Sequence, residues 1–282
     1  MPHVRVVIGQ RLRQVRTRAD LDQASMAAFL GISQAQVSRI EAGKRPIGLD
    51  DLVRWLEHAS ASDIEKAETL AQYERYGADA VTFEDLKSAG WTEHQKRYGD
   101  LEKEGAATKV YQNSLIPGLL QTPAYAEYLM REVVCKPHED IAEAVAARLA
   151  RQHILVETTA HLHFVITETV LRQPFGGHAL MAEQLDRLVN VASLRAVDLA
   201  VLPTETRMPA AWGTHFDIHE MPDPDESVVN IELEGREVQE FGADAVRPYL
   251  ERFDFYRTYA LTDAAAVDFV TRIANQHRKA KK

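Results

Sequence analysis

Apolar residues recur at helical spacing through the first quarter of the chain, and the regularity fades beyond it. Ile8, Leu12 and Val15 share one face of a first helix, while Arg11, Arg13, Arg16 and Arg18 fill most of its other faces. Asp22 is a good N-cap for a second helix over Gln23–Leu30, where Gly31 permits the left-handed turn that ends it. Ser33 opens a third helix through a capping box. In this motif the serine hydroxyl and the Gln36 side chain satisfy each other's orphan backbone donors. That helix ends near Gly43. A fourth spans Leu49–His58, with Leu52, Val53 and Leu56 on its apolar face, and a second capping box, Ser62 with Glu65, opens a fifth that reaches Tyr76.

From residue 77 to 110 the pattern breaks into Gly77, Gly90, Gly99 and Gly105 among charged residues, which predicts a linker or helical connector. A second body follows over 111–282. Its Pro117-Gly118 turn precedes a helix over 123–131, and residues 139–156 read as a long helix. Strands are expected at 162–167 and 198–202. The helix at 178–194 between them is long enough for a crossover, so the two strands should be parallel. Residues 216–219 and Val228–Leu233 flank a Pro-Asp-Pro-Asp turn and predict a hairpin on the same sheet. The expected fold is thus mixed α and β: an all-α five-helix domain over residues 1–76, then an α+β domain with a small mixed sheet.

The segment from Gln23 to Glu41 fits a helix-turn-helix. Ala27 is small where two helices cross, Gly31 makes the turn, and Val37 and Ile40 anchor the third helix in the core. With those two pointing inward, Ala35, Gln36, Ser38 and Arg39 point outward, and Gln34 lies at the exposed helix start. Glutamine can bond adenine bidentately, arginine can bond guanine, and alanine can lie against a thymine methyl. The net charge of −9 argues against nucleic acid until it is split along the chain. Residues 1–45 hold eight Lys and Arg against three acids, a net of +5, and the remainder holds 25 against 39, a net of −14. A basic head on an acidic body is the footprint of a module that meets phosphates.

On Leu21, Gln23, Ala27, Gly31, Ser33, Val37, Ser38, Ile40, Glu41 and Gly43, residues 8–60 resemble the XRE, or lambda-repressor-like, DNA-binding domain. The resemblance implies that Gln23 touches a phosphate, that Gln34, Ala35 and Arg39 face bases, and that Lys44 and Arg45 follow the DNA backbone. It also implies that Glu41 pairs with Arg16 to lock the third helix on the first. The later residues are similar to a C-terminal domain of unassigned function that follows such heads in actinobacterial regulators. Residues 116–122, Tyr125, Ala126, Arg148, Arg151, Gln152, Phe164, Glu168, Leu171, Gln184, Leu185, Leu188, Leu202 and Pro203 carry that likeness. It implies a regulator of developmental or specialised-metabolite genes, often with a small companion protein.

Other constellations carry less. His161 and His163 alternate on one strand and His215, Asp217 and His219 on another, which suits either a metal site or a polar, wet sheet face opposite an apolar one. The expectation is the wet face and no metal. Arg148, Arg151 and Gln152 on one helix, with Glu168 at a strand end, suit an anionic ligand or an internal ion pair. The tail over 264–282 has Val267, Val270 and Ile273 at helical spacing and a basic end, expected either to fray or to add a phosphate contact. The lone Cys135 is expected to be a buried small hydrophobe. No membrane-spanning run, secretory signal, phosphate loop, nucleophile elbow or paired-carboxylate motif is present, so the reading is of a cytoplasmic, non-enzymatic protein without a cofactor. Its expected partners are double-stranded operator DNA and a second copy of itself, with a small companion protein or a small-molecule effector as further possibilities. An antitoxin-like or scaffold protein that sequesters a companion is the competing function, and an enzyme fused to a DNA-binding head is the third.

Overall fold

The structure, a computed structural model, describes residues 4–76, 80–82, 91–134, 141–157, 160–207, 213–233 and 236–280. Cys135, the boundary at Gly77 and the first two residues of the helix expected from 139 lie outside them. The chain divides into two compact units, one formed by Met1–Ala89 with Glu234–Phe241 and the other by Gly90–Leu233 with Gly242–Lys282.

The first unit holds α1 (Val4–Arg18), α2 (Gln23–Leu30), α3 (Gln34–Glu41), α4 (Leu49–His58) and α5 (Asp63–Tyr76). Leu12, Met26, Val37, Leu52, Trp55 and Leu56 are all but sealed from solvent at its centre. Trp55 is buried without leaving its donor unmet, because the indole Nε1–H donates to the Leu12 carbonyl at 3.3 Å. A short antiparallel pair completes the unit. It joins β1 (Ala80–Thr82) to a strand from far along the chain, Arg236–Phe241, with Ala80 opposite Val238. Arg5 at the start of α1 donates to Gln239 of that strand at 2.5 Å.

The second unit is α+β. Its elements in chain order are α6 (Trp91–Glu104), β2 (Ala107–Gln112), α7 (Pro123–Leu129), α8 (Ile141–Arg151), α9 (Ile154–Glu157), β3 (His161–Thr167), α10 (Glu168–Arg172) and α11 (His178–Val191). Then come β4 (Val197–Leu202), β5 (Phe216–Glu220), β6 (Val228–Leu233), α12 (Ala243–Thr258) and α13 (Asp263–Ala280); the Arg236–Phe241 strand of the first unit is β7. The sheet of this unit runs β6-β5-β2-β3-β4, with β2, β3 and β4 parallel and β5 antiparallel to both neighbours. Val110, Leu162, Phe164 and Ile166 face the main core with α7, α11 and α13, and α12 covers the opposite face through Phe253 and Tyr256.

Three expectations need correction. The stretch expected as a connector contains α6 and the central strand β2. Alternation in Ala107–Gln112 is hidden because one of its faces bears Thr108 and Gln112, polar residues that are nonetheless enclosed or nearly so. The helix expected from 139 to 156 breaks after Arg151 and resumes as the short α9. The tail does not fray through Ala280. Ala266, Phe269, Val270, Ile273 and Ala274 make one apolar stripe on the core, His277 bonds the Leu171 carbonyl at 2.9 Å, and Arg278 pairs with Asp186.

Candidate nucleic-acid interface

α2 and α3 are fixed from both ends by local chemistry. Asp22 Oδ1 accepts from the Ser25 amide at 2.7 Å, and that hydrogen bond holds its carboxyl below the usual range. Gly31 has φ +75°, a conformation that glycine adopts without strain, and Ile32 N–H returns to the Ala27 carbonyl at 3.0 Å. The capping box is present: Gln36 N–H donates to Ser33 Oγ at 3.2 Å, and Ser33 N–H donates to Gln36 Oε1 at 2.9 Å. Val37, Ile40 and Glu41 face inward. Gln34, Ala35 and Ser38 are exposed, and Arg39 lies partly exposed beside them.

Gln36 does not join that outer surface. It is buried, because its side-chain oxygen is spent on the Ser33 amide and the cap turns it inward. The same cap that identifies the helix start therefore removes one of the side chains expected to read bases.

Behind α3 lies a polar lock. The Arg16 guanidinium forks onto Glu41, with Nη2 to Oε2 at 3.0 Å, and its Nη1 donates to the Leu21 carbonyl at 2.6 Å. Gln23 Nε2 donates to the same Glu41 Oε2 at 2.9 Å, so the residue assigned to a phosphate also closes the lock. Two glycines complete it: Gly43, expected near the end of α3, and Gly9, missed in the sequence. A Cβ on Gly9 would lie 2.3 Å from the Ile40 carbonyl oxygen, and one on Gly43, at φ +70°, would lie 2.6 Å from the Val6 amide nitrogen. Gly9 could have been noticed as a glycine inside a helix, where it needs a reason. Gly9→Ala is expected to lower the stability of this unit by about 2 kcal/mol, since backbone must move to admit the methyl. Urea unfolding followed by hydrogen exchange of α1 and α3 measures it, and an unchanged midpoint would show that the two helices are not packed this closely.

The basic head is partly neutralised from within. Arg11 bonds Glu68 at 3.0 Å and Arg18 forks onto Glu65 at 2.6 and 2.9 Å. Arg18 together with the Ser62 amide holds the Glu65 carboxyl down to about 2. Lys44 remains exposed beyond α3, and the Arg45 guanidinium lies 5.7 Å from the Phe241 ring centroid.

In the second unit the Arg148, Arg151 and Gln152 constellation turns inward. Arg151 is paired with Glu102 through two nitrogens and donates to Gln95 Oε1 at 2.6 Å. A cleft of about 260 Å³ opens between α6 and α8 above that pair, yet Glu102 takes the guanidinium edge that an anion would need. Arg148 donates to Gln121 at 3.0 Å, and Gln152 donates to the Gln121 carbonyl at 2.7 Å. Glu168 is elsewhere: it accepts from Arg172 at 2.5 Å and from the Thr204 amide at 2.8 Å. The expected grouping of Glu168 with the arginines is therefore wrong, and the carboxylate beside Arg151 comes from α6, inside the supposed connector.

The histidines divide as well. His163 and Arg257 both bond Asp198, and that shared contact holds the Asp198 carboxyl low. His215 lies 3.5 Å from Glu232. His219 is only 1% exposed, with Tyr98 edge-on at 6.0 Å, so this strand face is not wet as expected; α6 covers it. Among the described residues no group of three His, Cys, Asp or Glu is placed to hold a metal ion.

Residues 7–70 match a helix-turn-helix domain. Residues 95–272, well over half of the chain, match a domain of unknown function, DUF5753. The chain belongs to the DUF5753 family. No curated protein matches the sequence. The DUF5753 match starts within α6 and ends within α13, so the helix and strand mistaken for a connector are part of that domain. Residues 116–122, Arg148, Gln152 and Gln184 of the DUF5753 domain converge on one network, in which Gln184 accepts from the Thr122 amide at 2.7 Å and donates to the Leu120 carbonyl at 2.9 Å. Among the described residues no helix is long and apolar enough to cross a membrane.

Proposed function

We propose that the protein is a sequence-specific, homodimeric transcriptional regulator of the XRE type, acting in the cytoplasm by binding rather than catalysis. Its α3 would enter the major groove of operator DNA. The observation that carries this reading is the outer face of α3, where Gln34, Ala35, Ser38 and Arg39 stand outward from a helix braced by the Arg16–Glu41 pair. Ser33 and the start of α2, with Gln23, lie where helix N-termini would approach phosphates, and Lys44 and Arg45 follow α3 with positive charge. One recognition helix reads few base pairs, so a two-fold pair of heads supplies the missing affinity and specificity. The DUF5753 domain would then dimerise, hold a companion protein, or sense an effector.

Genomic DNA capture with the purified full chain at near-physiological salt is expected to yield a discrete, two-fold-related site. Arg39→Ala should reduce the preference for that site over random DNA by about 1–3 kcal/mol without shifting the melting temperature. Capture without enrichment, or equal discrimination by the variant, removes respectively the regulator reading and the role of Arg39.

A further inference from the structure

On one face of the DUF5753 sheet, polar side chains are enclosed with atoms that nothing in the described residues satisfies. His219 bonds Thr108 through Nδ1 at 3.3 Å, while its Nε2 is buried with no hydrogen-bond partner among the described residues. Asp217, two residues earlier on the same face, has a buried Oδ1 in the same condition, and Gln112 on the neighbouring strand adds an unmet Oε1. Buried polar atoms are rarely left so, and a run of them signals a missing occupant. The face is enclosed at the His219 end and open at the other, where the Glu232 side chain is 49% exposed and His215 lies beside it.

The unmet oxygens are acceptors, and the groups acting on Asp217 are mixed in sign. Glu232 comes from β6, His215 from the residue just before β5, Glu102 from α6 and Arg151 from α8. Arg151 is already committed to Glu102. Burial, reinforced by the Glu232 carboxylate, pushes Asp217 up to about 7, so its negative charge is under-compensated as the domain stands. His215, His94 and Arg148 already act on Glu232, so the group without a donor among the described residues is Asp217 Oδ1, which a cation carrying hydrogen-bond donors would satisfy. An inorganic ion is poorly suited, because among the described residues no three His, Cys, Asp or Glu side chains converge. An ammonium on a small organic molecule needs no such convergence and can donate to Asp217 and Glu232 together.

We infer that the DUF5753 domain binds a small primary amine at the Asp217–Glu232 end of its sheet face, with Asp217 Oδ1 as the principal acceptor. The site is independent of the DNA reading and gives the domain a ligand class. Binding draws on ionised Asp217, so it strengthens as pH rises through the range where that carboxyl loses its proton. His215 modulates the same range, since the histidine charge competes with the incoming ammonium.

The test is calorimetric titration of the full chain with n-propylamine, against n-propanol and propionate as neutral and anionic counterparts. Propylamine should bind, and bind about tenfold more weakly at pH 6 than at pH 8, as a carboxyl titrating near 7 requires. Asp217→Asn should abolish that binding while leaving a cooperative melting transition, and Glu232→Gln should weaken it. Equal binding of propanol, preference for propionate, binding of magnesium or zinc instead of the amine, or undiminished binding by folded Asp217→Asn would each overturn the assignment.

Discussion

Arg16→Met is expected to destabilise the helix-turn-helix unit by about 3–5 kcal/mol, because it leaves Glu41 buried with one remaining side-chain donor, Gln23. Glu41 is 4% exposed and Arg16 8%, so water cannot replace the lost partner on either side. Glu41→Leu should cost a comparable amount by stranding the guanidinium. The double variant should recover much of the loss, since two apolar side chains of similar volume need no pairing. Hydrogen exchange of the α1 and α3 amides in increasing denaturant measures each step of the cycle. Additive losses would show that the two residues act separately. The consequence for DNA binding is indirect but large: α3 is a two-turn helix, and its orientation rests on this pair and on the Gly9 and Gly43 approaches to α1 and α3.

What could be read in advance follows a physical division. Helices α2 to α5 were legible because their signals are local: N-cap side chains, a glycine at the left-handed turn, and apolar residues at period 3.6. The parallel pair β3 and β4 and the β5–β6 hairpin were legible for the same reason, through apolar runs and a proline turn. What escaped depends on distant partners. Gln36 looks like a surface residue until the cap claims it. β2 looks like a polar connector until Thr108 is buried beside His219 of β5. Strand β7, short and charged, finds its partner β1 more than 150 residues earlier, and no local signal announces that. The Arg151–Glu102 pair was half visible: the arginine invited a carboxylate, and the nearest candidate by strand position, Glu168, was already held by Arg172 and Thr204.

The buried face of β5 makes a sharper demand on pH behaviour. Burial raises Asp217 from an ordinary 3.8 to about 7, so protonation favours the fold; that stability is complete below 3.8 and is lost as pH rises towards 7. Burial lowers His219 from 6.5 to about 3, with the Arg151 charge adding to it, so the fold holds this ring neutral. Stability from His219 is complete above 6.5 and is lost as pH falls towards 3. Between about pH 4.5 and 6.5 the two slopes oppose, each on the order of 1.4 kcal/mol per pH unit. The unaltered domain should therefore show little pH dependence there, and a small loss above 6.5. Asp217→Asn should expose the histidine slope, with stability rising from pH 4.5 to 6.5, and should exceed the parent by up to about 4 kcal/mol at pH 8. His219→Gln should expose the opposite slope, falling across the same interval. Denaturant midpoints of the β5 and β6 amides by hydrogen exchange give all three profiles. Parallel profiles for the three proteins would mean that neither group is enclosed as the structure has it, and the amine site would lose its foundation with them.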